Sequence, residues 1–556
     1  MNLRFLSSTA MAAFATLAAP ALAGDPDLIL YNGALLTMDP DAPQASAIAI
    51  TGTRISAVGD DAGVRATAGK DTRQIDLSGK TVIPGLVDTH IHAIRGGQTY
   101  RFETHWFDNP TLAGAIGELR QAATERGAGE WVAVVGSWIP EQFSEQRPPS
   151  VEELTAALPD NPAYVQSLYD YALLNAKGIE ALRLNRPDLA LPHGIEIERD
   201  ASGQATGKIL GNVGSFNVFL NQVAPLDAQQ RAASLREFFT ALNGFGVTGV
   251  IDPSAGPAAA YEPVLQMDHD GTLTLRVGYR IPAMAPGSEP DWIEKVMAFR
   301  QPHYDTGMIS FVGLGESLVA EMNDGVQMGP GFESSAEAKA RLHQVAEFAA
   351  ARSIPVEFHA YTDDAASDIL DVFEEVAKTH PIKDLRWSLA HLNTGSPRTI
   401  ARMAALGMAF SVQIGPYFEG PAILRANGPE VAGHAPPTRA ALDAGLRVAG
   451  GTDATRIGVF GVWQAIEYQV TGTSLGGAIQ KPEDQRLTRE EALRLYTSDA
   501  AWIGFVDDRR GTLSIGKQAD LAVLDQPYLT MPADRIDTIR ATMTLVDGKI
   551  VHERQD

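Results

Sequence analysis

Near the start of the chain, apolar residues fall in short runs separated by turn residues. LILYNGALLTMD (28–39), ASAIAITGTRISAVGD (45–60) and RQIDLSGKTVIPG (73–85) read as strands, with Asn32-Gly33 a two-residue hairpin signal. The same texture returns in KQADLAVLD (517–525) and ATMTLVDGKIVHE (541–553), with a second turn at Asp547-Gly548. Both ends together predict one small β-sandwich domain, built from residues 24–81 and 503–556. The middle has a different rhythm. VTGVID (247–252), LTLRVGYR (273–280), MISFVGLGES (308–317), IPVEFHAY (354–361), LRWSLAHL (385–392), GMAFSVQIG (407–415) and LRVAGGTDA (446–454) are apolar runs. Helical stretches such as 335–353 and 396–407 lie between them. Buried runs alternating with helices predict parallel βαβ units. With the opening run at 82–92 there are eight, the number that closes a (β/α)8 TIM barrel, here over residues 82–502. Residues of about 97–240 break the rhythm with WVAVVGSW and AYVQSLYDYALL, and are expected to form an insertion after the first barrel strand.

Composition narrows the class. The 556 residues are 45% hydrophobic and 20% charged, a globular balance able to bury a large core. A net charge of −23 argues against nucleic acid or an anionic membrane surface as partner but says little about the substrate, for which a small molecule is expected. The first 23 residues carry Arg4, an Ala/Leu/Phe-rich stretch and the small-x-small site Ala21-Leu22-Ala23, the pattern of a cleavable signal peptide. A periplasmic or secreted protein is therefore expected. No later run reaches the ~20 apolar residues of a membrane span. The chain has no cysteine, so neither disulfides nor thiolate chemistry is available. A homo-oligomer is compatible with all of this.

In a barrel of this kind, chemistry sits where the strands end. Strand one ends in His90 and His92, whose i, i+2 spacing puts both imidazoles on one face. The later runs end in His359, His391 and Asp453. Imidazole and carboxylate are the ligands that suit Zn²⁺ and related divalent ions. A bound metal acidifies water, and Asp453 is placed to accept its proton. Taken singly, each of these residues has a structural explanation; Asp453, for example, can hold its own turn through an Asx bond.

GLVDTHIHA after a β-rich start, the strand-end histidines, the late GTDA and the GKQADLAVLD near the end resemble the amidohydrolase superfamily of metal-dependent hydrolases. The likeness is closest to its amidohydrolase-3 branch, which includes N-substituted formamide deformylase. The resemblance implies that His90 and His92 bind the more buried metal, and that His359 and His391 bind a second. It implies that Asp453 touches a metal and serves as general base. Dinuclear members bridge their metals with a carboxylated lysine in a K-x-x-x-D-G segment of strand four. Here Met308 is aligned with that lysine and Val312 with the aspartate. A thioether cannot bridge hard ions. Three outcomes follow: Glu316 supplies a carboxylate bridge, one metal binds alone, or the site is impaired and the protein only binds its ligand. Glu357 shares the face of His359 but is expected deeper. The branch's D-G-H element is replaced by Asp170-Tyr171-Ala172. Trp138, Tyr417 and Trp463 are candidates for an aromatic pocket wall, and His434 and Arg456 for contact with an anionic or carbonyl group. The expected activity is hydrolysis of a non-peptide C–N bond, in an amide or cyclic amide. Esters, lactones and carbamates, or a non-catalytic binding role, are the alternatives.

Overall fold

The computed structural model describes residues 24–554 except 108, 187, 257, 299–305 and 328. The expected leader, residues 1–23, lies outside the described residues. The chain is a mixed α/β protein organised around eight parallel strands. These are β1 (Leu86–Asp88), β2 (Val247–Asp252), β3 (Arg276–Ile281), β4 (Ile309–Leu314), β5 (Glu357–Ala360), β6 (Ser388–His391), β7 (Ala409–Val412) and β8 (Val448–Gly450). The first four form one parallel sheet and the last four another. A parallel bridge between Leu314 and Val356 links β4 to β5. At the other junction the Thr89 amide and hydroxyl both donate to the Gly450 carbonyl, joining β1 to β8. Ile251, Val312, Ala409 and Ala449, from four of these strands, meet in one apolar cluster with Ile503. Val312 is therefore packed, away from the chemistry.

The helices between strands follow local capping rules. Ser335 caps Ala336–Ala350, Thr362 caps Asp363–Ala377 and Ser396 caps Pro397–Leu406, each accepting a backbone N–H from the first turn. Their apolar stripes join the largest core cluster, which also holds Phe358, Leu389 and Phe410.

The run at 82–92 is divided. Thr81–Pro84 pairs with Leu521–Leu524 in a six-stranded sheet made from both ends of the chain, whereas Leu86–Asp88 joins the parallel set. Gly85 lies between, where an added Cβ would fall 2.2 Å from the Thr248 hydroxyl. A four-stranded sheet, ordered 54–59, 47–51, 28–31, 73–76, shares a core with the six-stranded one through Leu30, Ile50, Val82, Leu521 and Leu545. The Asn32-Gly33 turn forms, with Asn32 at φ 56, but it passes the chain from one sheet to the other. The strands it joins do not pair; 28–31 pairs with 47–51 and 73–76, and 34–36 with 44–45 and 81–84. Asp547-Gly548 does close a hairpin. Between β1 and β2 the chain builds a separate five-stranded sheet from segments within 132–210. None of the helices among the described residues is long and apolar enough to cross a membrane.

Candidate metal centre

The ligand-type side chains converge at the C-terminal ends of β5 and β6 and just past those of β1, β4 and β8. His90 is fully buried and its Nδ1 donates to Glu357 at 3.0 Å. That contact fixes the tautomer and leaves Nε2 as a free donor of electrons. Nε2 has no hydrogen-bond partner of its own. Glu316 reaches His90 and His92 Nε2 at 3.4 and 3.5 Å, and His391 Nε2 and His359 Nδ1 at 3.1 and 3.2 Å. Asp453 stands 3.4 Å from His92 Nε2 and 3.7 Å from His391 Nδ1. Two triads can hold an ion, His90–His92–Glu316 and Glu316–His359–His391, and Glu316 belongs to both. Buried imidazoles and a carboxylate, with an orphaned ring nitrogen among them, fit a divalent metal.

Neighbouring groups enforce this geometry. Asp88 accepts from the Thr452 hydroxyl at 2.6 Å and from the His90 amide at 3.2 Å, tying the ends of β1 and β8 together. At Gly451 a Cβ would lie 2.6 Å from His90 Cβ, so only glycine lets β8 close on the histidine. Gly315, at φ 150, has the Glu357 carbonyl 2.6 Å from where its Cβ would be, which brings the next residue, Glu316, inward. His391 and Asp453 are held in left-handed backbone conformations, at φ 70 and 56. Such conformations cost ~1–3 kcal/mol each and persist where the surroundings impose them, often at functional sites.

The charges are strongly coupled. Burial opposes protonation of His90, but Glu316 and Glu357 overcome it and raise its pKa to about 9. His359 is likewise raised to about 10 against burial, by Asp324 and Glu316. His391 moves the other way, lowered by burial and by His359. Burial opposes ionisation of Glu357, yet Arg280 and His90 bring it down to about 2. Glu316 and Asp453 also stay ionised against burial because the imidazoles surround them. Without metal, protons on His90 and His359 thus supply the positive charge that an ion would supply. Both pKa values lie above the ordinary histidine value, so this stabilisation is complete below about pH 6.5 and fades as pH rises through 9 to 10. Metal must displace these protons. Zinc affinity is expected to rise with pH across that window, with about two protons released per chain on loading at pH 7. Calorimetry in buffers of different ionisation enthalpy measures this.

Other candidates are placed elsewhere. Met308 precedes β4 and contacts Arg276 at 3.6 Å, at the end of the strand away from the ligands; its alignment with the bridging lysine does not hold. Trp138 is fully buried in the insertion core against Trp106 and Phe143, its indole donating to the Gln166 carbonyl. Trp463 is buried against Tyr528 and donates to the Phe245 carbonyl. For both rings, core burial outweighs any role as pocket wall. Arg456 is buried in a 2.9 Å pair with Glu103. Its charge is committed, so Arg456→Ala is expected to cost ~3–5 kcal/mol in denaturant unfolding and to leave metal content unchanged. His434 is exposed and its Nδ1 hydrogen-bonds the Glu430 carbonyl one turn back. Tyr171 packs on the insertion core with Lys208 over its ring. Asp170 is exposed and acts electrostatically on Glu419. Tyr417 lines a cleft of about 700 Å³ with Phe107, Gln142, Gln464 and Leu475.

Several residues the sequence did not single out complete the site. Asp324 stands 3.4 Å from His359 Nε2 and accepts the Tyr361 and Thr362 amides. Tyr361 stacks on His359 with ring centres 5.2 Å apart. Asn393 and Glu419 are buried nearby, and burial with Asp453 and Asp170 pushes the Glu419 carboxyl well above the usual range. Tyr361 and Asn393 each lie two residues beyond a histidine, the spacing that joins His90 to His92.

Buried metal-type ligands at the ends of parallel strands define the class, a metal-dependent hydrolase. A model of the amidohydrolase family matches residues 73–552, and the chain belongs to that family. It is 26% identical over 549 residues to N-substituted formamide deformylase of Arthrobacter pascens, covering 95% of this chain and 98% of the relative. The fold is shared with an uncharacterised metal-dependent hydrolase of Pyrococcus horikoshii, at a TM-score of 0.65 and 20% identity over 91% of this chain and 99% of the other. Zinc-complexed atrazine chlorohydrolase of Arthrobacter aurescens follows at a TM-score of 0.52 and 17% identity over 95% of each chain.

Proposed function

We propose that the protein is an exported, zinc-dependent, dinuclear amidohydrolase that cleaves a non-peptide amide C–N bond in a small molecule. The observation that carries this reading is Glu316, one carboxylate within 3.5 Å of an imidazole nitrogen on each of four histidines. It supplies the bridge that the missing lysine left open, and removes the motive for a purely binding role. In this reading the eight parallel strands close into a (β/α)8 barrel over about 82–502, with the two terminal sheets as a β-sandwich beside it. The leader pattern supports export to the periplasm. The formamide deformylase relative supports an amide as the bond attacked.

His90 and His92 would hold one ion and His359 and His391 the other, with Glu316 available to both. Bound there, a divalent ion supplies Lewis acidity that polarises a carbonyl and acidifies water. Asp453, kept ionised by its three histidine neighbours, takes the proton from the attacking water and returns it to the leaving nitrogen. Glu357 and Asp324 orient the rings of His90 and His359.

The test is to strip the protein, reload it with Zn²⁺, and measure bound zinc and amine release from formamides and other N-acyl amines. About two zinc per chain with amine release is expected. A protein that takes up no zinc and releases no amine would sink the reading.

A further inference from the structure

Four polar atoms beside the metal ligands are buried without any hydrogen-bond partner: the Tyr361 hydroxyl, both amide atoms of Asn393, and Glu419 Oε2. Their residues are 1%, 2% and 4% exposed. Buried polar groups in native proteins are satisfied by protein, water or ligand, so a cluster of orphans marks a place where something else completes the bonds. Three different elements supply them. Tyr361 follows β5, Asn393 follows β6, and Glu419 lies on the helix Gly415–Gly433. The Tyr361 ring is 4.8 Å from that of His391. Glu419 and Asn393 face each other across Gly415, where a Cβ would sit 2.9 Å from Glu419 Oε2 and 3.1 Å from Asn393 Nδ2. No hydrogen bond joins the two. A Cβ at 415 would crowd both groups, so glycine is what lets Glu419 and Asn393 sit this close together. Tyr361 and Asp453 both lie within the electrostatic reach of Glu419. Glu419 and Tyr361 thus share the electrostatic surroundings of Asp453.

We propose that Tyr361, Asn393 and Glu419 form the recognition site for a nitrogen-bearing part of the substrate that presents N–H donors. The inference rests on the proposed hydrolase and names its substrate class. The Asn393 carbonyl and Glu419 Oε2 accept from N–H groups, while the Asn393 amide and the Tyr361 hydroxyl donate to a carbonyl or nitrogen lone pair. The charged groups acting on Glu419 are the carboxylates Asp453 and Asp170, and no cationic side chain among the described residues offsets them. Arg280 and Arg456, buried elsewhere around the strands, are paired with Glu357 and Glu103. A substrate carboxylate at this end is therefore disfavoured, and an amine, amidine or primary amide is favoured.

The experiment measures binding of benzamidine and of benzoate to the zinc-loaded full chain by calorimetry, for wild type, Tyr361→Phe, Asn393→Ala and Glu419→Gln. Benzamidine carries the N–H donors, and benzoate is a similar shape without them. The expected result is a tenfold or greater loss of benzamidine affinity in Asn393→Ala and Glu419→Gln and a smaller loss in Tyr361→Phe. Zinc content and benzoate affinity should stay at wild-type values. Unchanged benzamidine affinity, or equal loss of both probes, would overturn the proposal and leave these groups to ordered water. Tyr361→Phe removes only a hydroxyl, so it keeps the test open if a bolder variant does not fold. Selective benzamidine binding without amide hydrolysis would instead count against the hydrolase reading alone. Amide turnover with an unchanged KM in Asn393→Ala would count against the recognition site alone.

Discussion

Asp453→Asn is expected to lower kcat by roughly 10²–10⁴-fold while the chain stays folded and metal-loaded. Two contacts make the substitution informative. Asp453 Oδ1 lies 3.4 Å from His92 and Oδ2 3.7 Å from His391, so the carboxylate sits among the ligands rather than beyond them. An asparagine side chain keeps the shape and an acceptor oxygen but cannot take a proton near neutral pH. Loss of turnover with zinc content retained separates proton transfer from metal binding. The left-handed backbone at Asp453, φ 56, favours the experiment too, because asparagine tolerates that conformation well. Circular dichroism and metal analysis check the fold and the loading, and steady-state kinetics read the effect. Retained activity would remove Asp453 as the base.

The residues at this centre were legible to the extent that strand alternation expresses them. His90 and His92 share a face by the i, i+2 rule, and the same rule carried past His359 and His391 reaches Tyr361 and Asn393. Those two were passed over because tyrosine and asparagine at strand ends have many structural uses, and only their unsatisfied atoms distinguish them here. Long-range pairing was not legible. Whether β4 begins at or after Met308 is set by its register on β3, where Val277 faces Ile309, and no local pattern encodes that pairing. Nor did residue type tell a pocket wall from a core. Trp138 and Trp463 bury their full surface and send their indole N–H to backbone carbonyls, which the sequence cannot foresee. Arg456 looked free for substrate because its partner, Glu103, is 353 residues away in the chain. Asn32-Gly33 shows the same limit, since a turn fixes direction locally but not which sheet receives the strand.

The largest effect on metal content is expected from Glu316→Ala, because its carboxylate belongs to both triads. Removing it takes away the carboxylate that the two candidate triads share among the described residues. It also leaves His359 and His391 without their nearest carboxylate, and takes a second one from beside His90 and His92. Without that carboxylate the remaining ligands would offset less of the charge of two cations, so bound zinc should fall from about two per chain to one or none, with turnover lost in parallel. Met308→Leu is the matched control. It conserves volume at the end of β4 away from the ligands, and is expected to cost under ~1.5 kcal/mol with zinc content unchanged. Met308 and Glu316 are eight residues apart along β4 and its extension, roughly 25 Å at strand rise, so one position cannot do the other's work. Elemental analysis after dialysis against buffered zinc reads both variants. Two zinc retained in Glu316→Ala would mean that the ions are bridged without it. Zinc lost in Met308→Leu would return the bridge to the far end of the strand.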